Sequence, residues 1–301
     1  MHALGTQPFP HAHPEPVGEH PELPPGIVPS RQRRPRWRPW SAVLALIAAL
    51  VAALFGAAVI GIAAAPFGAS LSDPPGSVTI LATIWQDLCF IGAALFFARA
   101  AERPWPWQFG LRRVPVWPAV GWSIVAWLGF YAFTAAFVGI LGLHPKEDDL
   151  PEQLGINNST IALIVVALLV AVIAPVAEEF FFRGFFFGAL RNWKGTWPAA
   201  LITGLVFGGI HAGSSDPAYL VPLAAFGLAL CLLYVKTGSL YPCIGLHCAN
   251  NSVAFGVTQN WTWQIPLLFA VSIVLLTLLA REVERRWDRP LGPAGPAPAV
   301  G

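Results

Sequence analysis

The chain has 301 residues, of which 11% are charged and 55% hydrophobic, with 13 Trp and 20 Phe. Soluble domains carry roughly 25% charged residues, so this composition excludes an ordinary water-soluble fold and places one large domain in lipid. The net charge of +2 excludes nothing by itself; the positions of the charges are the informative part.

Residues 1–38 are rich in Pro, carry His2, His11, His13 and His20, and show no apolar period. Such a segment lacks the apolar surface needed to fold and is expected to be a disordered cytoplasmic tail. It has no apolar core at signal-peptide distance from Met1. A second Pro/Ala/Gly-rich tail is expected over 289–301.

Between the tails, a search for stretches near the ~20 apolar residues of a membrane helix gives eight spans. They are 41–65, 78–101, 116–141, 160–190, 197–212, 218–235, 240–257 and 263–280. The fifth to seventh are short, which suits helices buried within a bundle. The expected fold class is therefore all-α, a polytopic membrane helix bundle of about eight transmembrane helices over 39–288. Basic residues flank cytoplasmic helix ends. With the amino terminus inside, every Lys and Arg except Lys146 falls at or near the cytoplasmic side. Lys146 sits among Glu147, Asp148, Asp149 and Glu152. Both termini are thus expected in the cytoplasm, and the protein in the plasma membrane.

Two further features are weighed as background. The segment 105–113, Trp-Pro-Trp-Gln-Phe-Gly-Leu-Arg-Arg, has the look of an interfacial stretch against anionic lipid or of an aromatic belt. Cys89, Cys231, Cys243 and Cys248 lie in apolar stretches with no CxxC pair, as small hydrophobes do. Cys248 beside His247 points about 100° away on a helix and is discounted as a metal ligand.

The fourth span contains what lipid should exclude: Glu178, Glu179 and Arg183. A charge at mid-bilayer costs about 3 kcal/mol on insertion scales. Glu179 and Arg183 stand in the favourable acid-then-base i,i+4 order, which would leave Glu178 free for another partner. The fifth span ends with Phe207 and His211, and the seventh holds His247 and Asn251, each pair four residues apart. Helical rise puts Glu178, His211 and His247 about 18, 21 and 10 Å from the cytoplasmic helix ends, close enough for tilt to bring them together. Asp87, with Gln86, in the second span reads as a structural partner outside the site. Taken singly, a membrane His is often a satisfied hydrogen-bonding group. Intramembrane Glu and His also build proton relays. A proton-coupled transporter and a non-catalytic scaffold are therefore the rival readings. No internal repeat of the transporter kind is seen.

The blocks Glu-Glu-x-x-x-Arg, Phe-x-x-x-His and His-x-x-x-Asn, in this order on successive spans, resemble the CPBP family. These are the CAAX proteases and bacteriocin-processing or abortive-infection intramembrane endopeptidases. The similarity covers about 160–257, and Glu178, Glu179, Arg183, Phe207, His211, His247 and Asn251 all match its motifs. The resemblance implies a glutamate-dependent intramembrane peptidase. Glu178 would act as general base, His211 would help to polarise the water, and His247 and Asn251 would form an oxyanion pocket. Glu179 would belong to the catalytic set, and Arg183 and Phe207 would support it. It implies no cofactor, with zinc on Glu178, His211 and His247 as the open alternative; no HExxH helix argues for the metal. The implied partners are membrane lipid and a peptide or protein substrate, prenylated or not; no nucleic acid is expected.

Overall fold

The computed structural model describes residues 35–70, 72–143 and 150–287. Residues 1–34 of the expected amino-terminal tail, the tail 289–301 and most of the acidic loop holding Lys146 lie outside the described residues; residues 35–38, expected as tail, are described, with Trp37 buried. Among the described residues, eight main helices follow the eight expected spans: α1 Pro39–Ala64, α2 Gly76–Ala101, α3 Val116–Leu141, α4 Thr160–Lys194, α5 Thr196–Gly209, α6 Pro217–Thr237, α7 Leu240–Thr258 and α8 Gln264–Trp287. There is no strand among the described residues, and the protein is an all-α polytopic membrane bundle. Six helices, α1 to α4, α6 and α8, are long and apolar enough to cross a membrane by length and composition. Of the other two, α5 has only 14 residues. The other, α7, carries His247, Asn250 and Asn251, which lower its hydropathy.

The centre of the bundle is α4, which packs on α1, α2, α5, α6, α7 and α8. It is not a uniform α-helix. Leu169–Ile173 and Phe180–Phe186 are π-helical and bracket the α-helical turns Ala174–Glu179. Pro175 stands at the start of that middle piece. Its missing N–H breaks the i→i−4 ladder, and a widened turn absorbs the break. The sequence reading treats 160–190 as one plain helix, so the π turns are a finding of the structure. The i,i+4 pair Glu179–Arg183 forms across the start of the second π segment.

Phe side chains surround that block. Phe181, Phe182, Phe185, Phe186 and Phe187 are all buried. Phe90 of α2 packs on Phe181 and Phe182, with ring centroids 5.0 and 5.9 Å apart. Helices α5 and α6 come together backbone to backbone. A Cβ on Gly204 would lie 2.6 Å from the Ala224 carbonyl, and one on Gly208 would lie 2.5 Å from the Leu220 carbonyl. Small residues four apart allow this approach between membrane helices.

Two expectations change. The segment 105–113 is not simply laid on the interface. Phe109 is 3% exposed, stacks on Phe180 at 4.6 Å and packs on Trp37 at 5.0 Å. Gly110, at φ +82°, accepts from Leu240 N at 2.8 Å, and Ser239 Oγ donates to Arg112 O at 2.6 Å. The α2–α3 connection is thereby pinned to the start of α7. Secondly, Arg183 is fully buried. It belongs to the interior and not to the cytoplasmic charge belt.

Candidate active site

The Glu pair sits on the middle turns of α4, with its two members turned to different surroundings. Glu179 is 0% exposed. Its Oε1 accepts from Arg183 Nη1 at 2.8 Å and from His247 Nδ1 at 2.9 Å. Arg183 also donates from Nη2 to the carbonyl of Gly227 on α6, at 2.9 Å. Its guanidinium lies 4.6 Å from the centre of the Phe207 ring. Glu179 thus ties α4 to α7, and Arg183 ties α4 to α5 and α6. A buried ionic cluster of this kind holds only with good geometry and added hydrogen bonds; these are present at Glu179 Oε1 and at both Arg183 Nη atoms, while Glu179 Oε2 and Arg183 Nε have no hydrogen-bond partner among the described residues.

Glu178 is half-buried. Its Oε2 is shielded and has no hydrogen-bond partner among the described residues. That oxygen lies 3.9 Å from His247 Nε2, too far for a direct hydrogen bond. His247 is 4% exposed and stands edge-on to Phe226, at 5.4 Å between ring centroids, and to Phe207, at 5.8 Å. Because Nδ1 is engaged by Glu179, Nε2 is the nitrogen turned towards Glu178.

The other expected residues are held differently. His211 lies in the turn just past the end of α5 and not inside the helix. Its Nδ1 donates to the Phe207 carbonyl at 2.7 Å, one of the carbonyls that a helix end leaves without a partner. A carbonyl only accepts, so Nδ1 carries the hydrogen and Nε2 is left as the acceptor. The His211 ring packs on Phe207 at 5.0 Å, and Phe207 in turn meets His247. Phe207 therefore spaces the two histidines. Asn251 is engaged elsewhere: its Nδ2 donates to Val170 O, in the first π turn of α4, at 3.0 Å. Among the described residues no three His, Cys, Asp or Glu side chains converge closely enough to hold a metal ion. Glu178, His211 and His247 do not form a three-ligand set in this arrangement.

Four neighbours escape the sequence reading. The Gly227 and Val170 carbonyls leave no trace in a side-chain pattern. Phe226 reads as one more apolar residue. Asp87, read as lying outside the site, is 3% exposed, and its Oδ2 is shielded with no hydrogen-bond partner among the described residues. Its helix, α2, packs on both the Ala174–Glu179 and Phe180–Phe186 pieces of α4. The available signal was a carboxylate in an apolar span, the same signal that marks Glu178.

Comparison with known proteins agrees with this picture. Residues 160–253 match the family described as type II CAAX prenyl endopeptidase Rce1-like. The match runs from the start of α4 into α7 and includes all seven motif residues, so the resemblance carried by the three sequence blocks is shown over this segment. Two proteins of Bacillus subtilis (strain 168) are also similar. One, named "Putative membrane peptidase YdiL", is 27% identical over 142 residues, 44% of this chain and 56% of the relative. Another, named "Uncharacterized protein YyaK", is 31% identical over 158 residues, 48% of this chain and 52% of the relative. The chain thus spans about half the length of the curated relatives it matches. No solved structure matches it.

Proposed function

We propose that the protein is an intramembrane endopeptidase that uses Glu178 as its general base on membrane-associated or CAAX-like protein substrates, prenylated or not. The observation that carries the reading is the unequal treatment of two adjacent carboxylates. Glu179 is fully buried, with its Oε1 shared by Arg183 and His247, whereas Glu178 has no hydrogen-bonded cation among the described residues, and its unpartnered Oε2 lies 3.9 Å from His247 Nε2. A buried ion cluster built only for stability has no use for the second acid.

In this reading Glu178 takes a proton from water as the water oxygen attacks the scissile carbonyl. The C–N bond then breaks, and Glu178 returns the proton to the leaving amine. A general base positioned this way is worth about 10²–10⁴-fold in rate. His247, oriented by donating Nδ1–H to Glu179, stabilises the oxyanion of the tetrahedral intermediate through Nε2–H, a step that requires the imidazolium form, in which both nitrogens donate. His211, with Nδ1 held by Phe207, has Nε2 available to accept from the attacking water. Glu179 and Arg183 act as positioning residues. Asn251 supports the oxyanion side, which requires it to exchange its bond to Val170 O for one to substrate.

We read the reaction as metal-free, because Glu178, His211 and His247 do not converge as a three-ligand set among the described residues. The test is elemental analysis of active, purified protein beside a peptide-cleavage assay after exhaustive chelation. Turnover unchanged by chelation is expected. Stoichiometric zinc, with activity lost on chelation and restored on readdition, would overturn the metal-free reading, since a three-ligand zinc site survives purification. Failure of the wild type to cleave any member of a membrane-peptide panel in liposomes would overturn the peptidase reading itself.

A further inference from the structure

Away from the Glu pair, a groove of about 680 Å³ runs between α3 and α8, with α7 as its floor. The floor is a line of small residues, Gly245, Ala249 and Val253, and the α8 wall includes Ile273 and Leu276. The hydroxyls that line it are already spent within their own helices. Ser123 Oγ donates to Ala119 O at 2.9 Å, and Thr277 Oγ1 donates to Ile273 O at 2.7 Å. One end differs. Arg113, Arg281 and Tyr241 all line it there, where the start of α3, the start of α7 and the end of α8 meet. Arg113 is paired with Glu284 at 2.5 Å. The Tyr241 hydroxyl is shielded and has no hydrogen-bond partner among the described residues.

We propose that this groove binds one acyl chain of an anionic membrane phospholipid, with its phosphate held by Arg281, the Tyr241 hydroxyl and Arg113. Length and charge select the occupant. From Tyr241 to Val253 the floor is roughly 18 Å long at helical rise, close to the ~15 Å depth of one leaflet of a 30 Å hydrocarbon core. An extended peptide would bring backbone N–H and C=O groups into a channel whose hydroxyls are already used, at high cost in lipid. An aliphatic chain brings none. The charge at the closed end suits its head: Glu284 neutralises one arginine, and Arg281 remains to favour an anion. The groove floor and the His247 site are on the same helix, so the lipid would also brace α7.

The experiment is native mass spectrometry of the full chain released from liposomes containing equal phosphatidylglycerol and phosphatidylcholine. The wild type should retain one phospholipid, with phosphatidylglycerol favoured about tenfold. Arg281→Gln should erase the headgroup preference while leaving occupancy. Ala249→Phe should abolish occupancy, and Gly245→Leu provides a second plug. A Cβ at Gly245 meets only Ile273 and Leu276 side chains, at 3.8 and 4.0 Å, so this variant is expected to fold. Equal retention of both lipids by the wild type would overturn the proposal. So would full retention in both plug variants, or a protein dimer in place of bound lipid.

Discussion

At the scale of single residues, the two adjacent acids differ: Glu179 shares Oε1 with Arg183 and His247, and Glu178 has no hydrogen-bonded cation among the described residues. Glu178→Gln keeps size and loses the base. Cleavage should therefore fall by at least about 10²-fold, while the thermal midpoint stays within a few degrees; peptide turnover and melting curves on the same sample check both. Arg183→Ala should do the reverse. It strands the 0%-exposed Glu179 carboxylate and removes the tie to Gly227, at a cost of about 3–5 kcal/mol. Abundance and melting temperature should fall together. Full turnover in Glu178→Gln would remove the general-base assignment. The Glu179–Arg183 pair was legible in the sequence, because i,i+4 contacts depend on helix geometry alone. The bond from His247 to Glu179 was not, because it joins residues 68 positions apart and rests on how α7 docks against α4.

At the scale of elements, two features place the site: the π turns that bracket Glu178 and Glu179, and the glycine contact between α5 and α6. The second is open to direct test. Gly208→Leu would drive a side chain into the Leu220 carbonyl and Ala224, pushing apart the helices that carry Phe207 and Gly227. Overpacking costs about 1–3 kcal/mol, so the melting temperature should drop and cleavage should drop with it. Gly209→Ala is the control, since a Cβ there meets nothing within 4 Å and should leave both unchanged. If Gly208→Leu melted and cleaved like the wild type, the close approach would not be what positions Phe207. The extents of the eight helices were legible within a few residues from apolar length and Gly/Pro punctuation. The exception is the end of α5, which stops at Gly209 and leaves His211 in a turn. The π turns were hidden: Pro175 announces a break in the ladder, but how the break is absorbed depends on packing around it.

At the scale of the whole molecule, charge placement predicts orientation. Setting aside the buried Arg183, the remaining basic residues except Lys146 flank one side of the proposed spans. A reporter fused after Arg289 should be cytoplasmic, and one inserted in the loop 145–154 should be external. An external signal from the carboxyl-terminal fusion would overturn the topology. What the sequence by itself determined is whatever depends on short-range regularities. These are the membrane class from composition, the eight helices from apolar length, Glu178, Glu179, Arg183, His211 and His247 from charges and histidines that lipid penalises, and Phe207 and Asn251 from their i,i+4 spacing and the family resemblance. Tertiary structure alone decided which of those residues meet, because hydrogen bonds to backbone carbonyls and cross-helix contacts depend on docking angles that no local pattern encodes. It joined His247 to Glu179, turned Asn251 to Val170, packed the helix of Asp87 against the turns that carry the Glu pair, and left an apolar groove behind the helix that carries His247.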